Sequence, residues 1–337
     1  MDVSRYVNTT DLHLDVEFIT PAFLGGWNGN AEIRTAPFKH GIRYWWRILY
    51  GAKYGNKIKE IEDKIFGSTE NAANVQIYCS EIPKASFTEK IGFSGGKKIA
   101  VSHGGRDVSV NILDYLAYGK FEHERGQRNV YTSTYIKPTT KIKIQISIKD
   151  VGHTEEVKNA IKIFFCYGGV GSRSRNGFGS MDTNFGDIQF SKNVSLCEIK
   201  EFPTFSQELR FFITKKPLDT WENALSEIGI MYKDARCSLE RPHRYEKRGF
   251  IARPIEARGE EIPSNIKKGR IPKPFYMGIM KYEKQFIGYI LCLPIMFYEQ
   301  ESQKEYMKQI RKMTEHFSTT LKDDTARFLK PFSGAAK

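Results

Sequence analysis

KIKIQISIKDVGHTEEVKNAIKIFFCYGGVGSRSRNGFGS, residues 141–180, joins three patterns in direct succession. Residues 141–149 alternate isoleucine with lysine or polar residues, which predicts a strand with one buried face. A helix is predicted from Thr154, because a capping hydroxyl precedes two acids and apolar residues then recur at helical spacing. Gly168 ends that helix, and residues 180–190 are predicted to return as a strand.

The residues before this stretch complete the same unit. Residues 12–20 (LHLDVEFIT) alternate like a strand, residues 38–53 have the period of an amphipathic helix, and residues 74–80 resemble a further strand. The predicted order is therefore strand, helix, strand, strand, helix, strand. This is the order of a ferredoxin-like βαββαβ domain.

A long segment, residues 92–134, interrupts this first domain. We expect it to form a projecting hairpin or a flexible lobe, with one helical piece at 112–118. The chain of 337 residues is longer than single cores usually grow, and residues 191–206 contain few candidates for burial. We therefore place a first domain at 1–200 and a second at 201–337.

The second domain repeats the order of the first in weaker form. Its predicted elements are a strand at 208–214, a helix marked by Trp221, Leu225, Ile228 and Tyr232, a hairpin of 275–282 with 285–293, a helix that begins with the capping pair Ser302 and Glu305, and a strand at 326–329. The fold class expected is α+β, as two tandem ferredoxin-like domains with a glycine-rich loop after the second helix of the first.

The charge of the chain indicates a polyanionic partner. Lysine and arginine number 52 against 39 acids, which gives a net charge of +13 and a pI near 9.3. A membrane surface would require a basic amphipathic helix with a wide apolar face or a lipid anchor, and the sequence has neither. Nucleic acid is therefore the favoured partner, and no membrane partner is expected.

The cysteines and histidines predict neither disulfides nor metal. The five cysteines are scattered singly, which fits reduced thiols in a cytoplasm, and the seven histidines show no ligand spacing. The first eighteen residues carry early acids and no apolar core of signal-peptide length. We expect a cytoplasmic protein without a metal or another cofactor.

The glycine-rich loop has the composition of a phosphate cradle. Glycines let a backbone approach a ligand closely and turn its amides toward an anion, and arginines neutralise phosphate. The alternative is a plain helix-to-strand connection that needs glycine for positive φ. A nucleotide-binding P-loop is excluded because the loop leaves a helix and lacks Gly-Lys-Ser/Thr. The candidate RNA-binding residues of the loop are Gly168, Gly169, Gly171, Ser172, Arg173, Arg175, Asn176, Gly177 and Gly179.

Two other basic segments are candidates for RNA contact. Six basic residues and no acid lie between Pro37 and Lys59, and Lys39, Arg43 and Arg47 share one flank of the predicted helix. These arginines could instead pair with carboxylates, and Trp45 is expected in the core. Residues 241–274 hold ten basic residues against four acids, interleaved with aromatics that could stack on bases. The candidates there are Arg241, Arg244, Arg248 and Arg253, although such runs are often only solvated surface.

Three motifs in this order resemble one family. ITPAFLGG, AEIRTAPFKHGIRYWWR and GGVGSRSRNGFGS are similar to the RAMP superfamily of CRISPR proteins, and in particular to the first subunit of the type III-B Cmr effector complex. The resemblance covers the first 180 residues and is weak beyond Pro203.

The resemblance implies a non-catalytic RNA-binding subunit with two ferredoxin-like domains. It implies a position at the end of a ribonucleoprotein filament, near the 3′ end of the guide RNA and the 5′ part of the target RNA, with other Cmr subunits as partners. Cleavage in that family belongs to a different subunit. The positions implied to bind RNA are the five glycines and two arginines of the loop, with Arg43 and Arg47.

Two other functions remain open on the sequence. A metal-independent endoribonuclease that processes CRISPR RNA could use His40, with Lys39 and Tyr44, as acid and base, because RNA self-cleavage needs both. A protein scaffold could use its basic surface to hold acidic neighbours. It would differ from an RNA-binding module in its poor affinity for RNA.

Overall fold

The computed structural model describes residues 9–26, 29–80, 87, 92–103, 106–122, 129–149, 152–185, 194, 196–240, 246–252, 272–296 and 300–331. The fold is α+β with antiparallel sheets, which confirms the expected class. Internal contacts divide the chain into two units. The first comprises Met1–Ile91, Glu122–Ser195 and Leu329–Lys337, and the second comprises Gly92–Phe121 and Leu196–Phe328.

Within the described residues the strands are β1 (Thr9–Phe18), β2 (Val75–Cys79), β3 (Lys98–His103), β4 (Arg106–Asn111), β5 (Phe121–Glu122), β6 (Val130–Tyr131), β7 (Lys141–Lys149), β8 (Met181–Thr183), β9 (Arg210–Ile213), β10 (Phe275–Tyr282), β11 (Gln285–Cys292) and β12 (Lys322–Asp323). The helices are α1 (Thr35–Tyr54), α2 (Ile58–Phe66), α3 (Ile112–Leu116), α4 (Thr154–Tyr167), α5 (Trp221–Ser238), α6 (Arg248–Ile251), α7 (Gln300–Thr320) and α8 (Thr325–Leu329).

The sheet of the first unit has the strand order β2-β7-β1-β8, and each neighbouring pair is antiparallel. Strand β7 confirms the alternation predicted for 141–149, since its four isoleucines are buried and the residues between them are not. The other face of the sheet is charged, because Asp15 and Glu17 of β1 stand opposite Lys143 and Lys141 of β7.

Helices α1 and α4 pack closely against each other in the first unit. A Cβ atom at Gly41 of α1 would lie 2.2 Å from the Phe164 ring of α4, so only glycine permits this approach. Trp46 of α1 is fully buried. Tyr50 of the same helix is buried as well, and its hydroxyl accepts a hydrogen bond from Asn159 at 2.6 Å.

Two parts of the first unit differ from the sequence-based prediction. The strand predicted at 180–190 is shorter where it can be seen, since β8 covers Met181–Thr183 and residues 186–190 lie outside the described part of the chain. Helix α2 is an element that the sequence patterns above do not predict. It follows α1 after a single 3₁₀ turn at Gly55–Lys57.

The sheet of the second unit has the strand order β10-β11-β9-β12, again with antiparallel neighbours. In its core the rings of Phe212 and Phe275 both contact the Phe317 ring, at centroid distances of 5.5 and 5.4 Å. The strand predicted at 326–329 is wrong. The strand is β12, and 325–329 form helix α8, because the Asp323 carboxylate accepts the Thr325 amide proton and caps the helix start.

The predicted insert at 92–134 divides between the two units. Residues 92–121 form the hairpin β3–β4 and helix α3, and they belong to the second unit rather than to the first domain. Leu116 of α3 lies where a Cβ atom at Gly229 of α5 would be, and the Lys97 amide donates to Ser226 of α5. The lobe is therefore fixed by packing against helix α5.

Candidate RNA-binding site

The glycine-rich loop, residues 168–180, docks on the chain that follows β1. The Gly179 amide donates to Pro21 O at 2.8 Å, and the Ser172 amide donates to Phe23 O at 3.0 Å. Thr20 reinforces this contact, because its hydroxyl donates to Gly177 O at 2.8 Å and accepts the Ser180 amide proton at 2.9 Å. The loop is thus a braced surface feature of the first unit.

The same packing explains the glycines. Gly171, Gly177 and Gly179 have φ of 87°, 92° and 69°, in the region that favours glycine. A Cβ atom at Gly179 would lie 2.0 Å from Val170 O, and at Gly171 it would lie 2.6 Å from Phe23 O. The close backbone approach predicted for a ligand is here an approach to the protein's own carbonyl groups.

Several loop amides are consequently occupied. The amides of Gly168, Ser172, Asn176, Gly177 and Gly179 all donate to carbonyl oxygens of the protein. The expectation that these N–H groups turn toward an anion is corrected, because each already has an acceptor. Gly169, too, is required by crowding, since a Cβ atom there would lie 2.9 Å from Phe178 O.

The two arginines of the loop differ in exposure and in their contacts. Arg173 is exposed and sits at φ 63°, an uncommon conformation for a side chain larger than glycine. Arg175 is half-buried and reaches helix α1, where its Nη2 donates to the Tyr44 hydroxyl at 2.9 Å and its guanidinium lies 5.7 Å from the centre of the Tyr44 ring. The loop and helix α1 therefore meet through Arg175 and Tyr44.

The arginines of helix α1 are held by carboxylates of α2. Arg43 uses all three of its side-chain nitrogens, since Nε donates to Glu62 at 2.6 Å, Nη2 to Asp63 at 3.0 Å and Nη1 to Gly67 O at 3.3 Å. These bonds use three of the five N–H groups of Arg43 and give it a structural role, and its contact with RNA stays a prediction.

Arg47 is bound on one side only. Its Nη2 donates to both carboxylate oxygens of Glu62, at 2.6 and 2.7 Å, and its side chain is 43% exposed. A buried carboxylate that fixes one edge of a guanidinium leaves the other edge oriented outward. Arg47 therefore stays in the candidate site in a fixed orientation.

Lys39 is the cation of helix α1 with the fewest constraints. No carboxylate of the described residues lies within 4.0 Å of its ammonium group. Burial, and secondarily the positive charge of Arg43, lower the pKa of Lys39 from its ordinary value. An anion beside Lys39 would offset both effects.

The candidates of the second domain fall mostly outside the described residues. This is the case for Arg241, Arg244 and Arg253. Arg248 is buried and pairs with Glu240, whose carboxylate is 3.3 Å from Nε and also accepts the backbone amides of Lys247 and Arg248 at 2.8 Å. Arg248 therefore has a buried ion pair, and its contact with RNA stays a prediction.

His40, the candidate acid or base, lies on helix α1. His40 is exposed, and within the described part of the chain no hydrogen bond or ion pair orients its ring. No group of three or more His, Cys, Asp or Glu side chains among the described residues could hold a metal ion. The five cysteines are free, and no described helix is long and apolar enough to cross a bilayer.

Sequence reasoning missed Glu62 and Asp63, which decide what Arg43 and Arg47 can do. The signal was present in the segment IKEIEDKIF, because Ile58, Ile61 and Ile65 recur at helical spacing. An acidic pair on a second helix, so close in sequence to two arginines, predicts ion pairs rather than free cations.

Comparison with known protein families identifies the part of the chain that contains the candidate site. The model of the RAMP superfamily matches residues 15–182, about half of the chain. The chain is 28% identical over 178 residues to the CRISPR system Cmr subunit Cmr1-2 of Pyrococcus furiosus, which is 50% of this chain and 91% of that protein. It is 27% identical over 153 residues to Cmr1-1 of the same organism, which is 44% of this chain and 40% of that protein.

Solved structures are similar over a longer range. The crystal structure of apo Cmr1 from Pyrococcus furiosus matches with a TM-score of 0.53 and 16% identity, over 93% of this chain and 98% of that one. A chain of the cryo-EM structure of type III-B Cmr-beta, bound to cognate target RNA and AMPPnP in the presence of ssDNA, matches with a TM-score of 0.52 and 13% identity, over 92% and 99%. At these identities the likeness concerns the fold.

The superfamily match runs from β1 through α1, α2, α4 and the glycine-rich loop to β8, the elements that build the candidate site. The chain belongs to the RAMP superfamily, and its relatives within that superfamily include the Cmr1 subunits of the CRISPR Cmr system.

Proposed function

We propose that this chain is the Cmr1-type subunit of a type III-B effector complex and binds RNA without cutting it. The observation that carries the proposal is the contact between Arg175 of the loop and Tyr44 of α1, which brings two basic elements to one surface. The relationship to Cmr1-2 and the net charge of +13 support the same conclusion.

The RNA surface would comprise Lys39, Arg47, Arg173 and Arg175. Each of these side chains is at least partly exposed. Arg47 shares the buried carboxylate of Glu62 with Arg43, but 43% of its side chain stays exposed. Because lysine and arginine recognise phosphate oxygens, the contact would fix the backbone of guide or target RNA and read little sequence. Tyr44 would orient Arg175 and keep its guanidinium at the surface.

We infer that each unit is a ferredoxin-like domain. Two features support this: both units have the order strand, helix, strand, strand, helix, strand, and in both sheets the first strand lies between the third and the fourth. A place at the end of a Cmr filament, beside other Cmr subunits, rests on the relationship to Cmr1 alone. The type III-B Cmr-beta structure that resembles this chain is described as bound to target RNA.

The test is the salt dependence of RNA binding by the double variant Arg173→Ala with Arg175→Ala. The slope of log K against log salt is negative, and two lost phosphate contacts on a single strand should make it shallower by about 1.4. The matched control is Lys141→Ala with Lys143→Ala, which removes the same charge from lysines that face carboxylates. Equal slopes for the loop variant and the wild type would contradict the proposal.

Cleavage is tested separately. Labelled CRISPR repeat RNA incubated with the wild-type chain should remain intact, because His40 lacks an orienting partner in the described residues. Specific cleavage that His40→Ala abolishes would replace the proposal with an endoribonuclease.

A further inference from the structure

The outer face of helix α7, in the second unit, carries a row of cations. Lys304, Lys308 and Lys312, here called the lysine row, follow at four-residue steps, about 6 Å apart along the helix axis, and Arg311 lies beside them. All four side chains are exposed. Glu305 is the one acid of the helix between Lys304 and Lys312, so positive charge dominates this stretch.

Two of these cations have no carboxylate partner among the described residues. In the part of the chain that the structure describes, no carboxylate oxygen lies within 4.0 Å of Lys304 or Lys312. Lys308 and Arg311 make only exposed pairs, with Glu305 at 3.4 Å and with Glu208 at 3.6 Å. Exposed pairs of this kind contribute little and are screened by salt, so they leave the cations available.

The lysine row is unfavourable for the helix that bears it. Like charges four residues apart repel one another, and this helix has two such pairs in succession, Lys304 with Lys308 and Lys308 with Lys312. An anion bound along the row would remove that repulsion. The lysines of β7 differ in this respect, because Lys141 and Lys143 stand opposite Glu17 and Asp15.

The chemistry of the lysine row indicates phosphates rather than bases or an apolar partner. No large hydrophobic side chain is exposed on α7 within its described span, so neither base stacking nor apolar burial can contribute there. Lysine ammonium groups act as point charges without the fork geometry that selects a base edge. A row of such point charges fits a sugar–phosphate backbone.

We propose that the lysine row, together with Arg311, forms a second surface that binds the backbone of single-stranded RNA. The choice of RNA as the polyanion rests on the proposed function. The surface itself belongs to the second unit and needs no residue of the glycine-rich loop.

The experiment compares three double variants that each remove two positive charges: Lys304→Ala with Lys312→Ala, Arg173→Ala with Arg175→Ala, and Lys141→Ala with Lys143→Ala. Binding of a fluorescein-labelled oligouridylate is measured from about 0.1 to about 1 M salt. The α7 variant should make the negative slope of log K against log salt shallower by about 1.4. If the affinities at about 1 M salt are equal, this corresponds to about 25-fold weaker binding at about 0.1 M salt. The β7 variant should keep the wild-type slope.

The three variants separate the two proposals. A changed slope for the loop variant with an unchanged slope for the α7 variant would overturn the lysine row and leave the loop site in place. The reverse pattern would overturn the loop site alone.

Chemical footprinting of the wild-type chain is a second test of RNA binding at the lysine row. Bound oligouridylate should protect Lys304 and Lys312 from acetylation by an N-hydroxysuccinimide ester, as followed by mass spectrometry, while Lys141 stays reactive. Equal acetylation with and without RNA would overturn the proposal.

Discussion

At the scale of single residues, Glu62 has the largest effect on how the basic helix is built. Its buried carboxylate holds Arg43 and Arg47 at 2.6–2.7 Å. Glu62→Ala should lower the free energy of unfolding by about 2 kcal/mol, because it removes the charged hydrogen bonds to two partly exposed guanidinium groups. Urea denaturation measures this loss.

Glu60 provides the matched control, because it lies on the same helix but is exposed. Glu60→Ala should change stability by less than about 0.5 kcal/mol. Equal effects of the two substitutions would show that the ion pairs of Glu62 with Arg43 and Arg47 do not stabilise the fold.

Gly179 tests whether the loop glycines serve packing. Gly179→Ala would place a Cβ atom 2.0 Å from Val170 O at a φ of 69°, so it should destabilise the first unit by at least about 2 kcal/mol. Gly25→Ala is the control, since no atom lies within 4 Å of its added Cβ. A stable Gly179→Ala chain, measured by thermal unfolding, would contradict the packing explanation.

At the scale of elements, the helix starts can be tested one by one. Thr220 caps helix α5, where its hydroxyl accepts the Asn223 amide proton at 3.2 Å. Thr220→Ala should cost about 1 kcal/mol and Thr220→Ser much less, because serine keeps the acceptor. Denaturant midpoints that do not separate the two variants would contradict this cap.

Long periodic elements could be predicted from the sequence, and short ones could not. Strand β7 and helix α4 follow their predicted bounds, because nine alternating residues and fourteen helical ones give an unambiguous period. Helix α2 has nine residues, and strand β12 has two. At that length the hydrogen bonds of neighbouring elements, rather than the local pattern, determine the structure.

The residue types of the candidate site could be predicted from the sequence, but the ion pairs and hydrogen bonds of its arginines could not. The sequence indicates that Arg43, Arg47, Arg173 and Arg175 are cationic, and it leaves open which of them face carboxylates. That choice depends on helix α2, whose Glu62 binds two of them, and on Tyr44, which binds Arg175. The lysine row was not predicted, because the apolar period of α7 predicts a helix without showing which of its cations lack a carboxylate.

At the scale of the whole molecule, the cysteines report on the cores of both units. Burial raises the pKa of Cys166 in the first unit to about 12 and raises the pKa of Cys292 in the second even further. The raised pKa values keep these thiols protonated at pH 8, whereas the thiolate is the form that reacts. Cys237 is exposed.

Native chain treated with iodoacetamide at pH 8 should therefore be labelled at Cys237 well before Cys166 or Cys292, as measured by peptide mass spectrometry. Urea should remove the difference, because unfolding restores ordinary thiol pKa values. Early labelling of Cys166 alone would indicate that the first unit opens independently of the second.

The most direct measurement of the central claim is a map of RNA crosslinks on the wild-type chain. Ultraviolet crosslinking to oligouridylate, read by mass spectrometry, should mark peptides that contain Lys39 to Arg47 and Arg173 to Asn176, the surface where the loop meets helix α1. Crosslinks confined to the charged face of the first sheet, at Asp11 to Glu17 or Lys141 to Lys149, with none at the loop or α1, would contradict it.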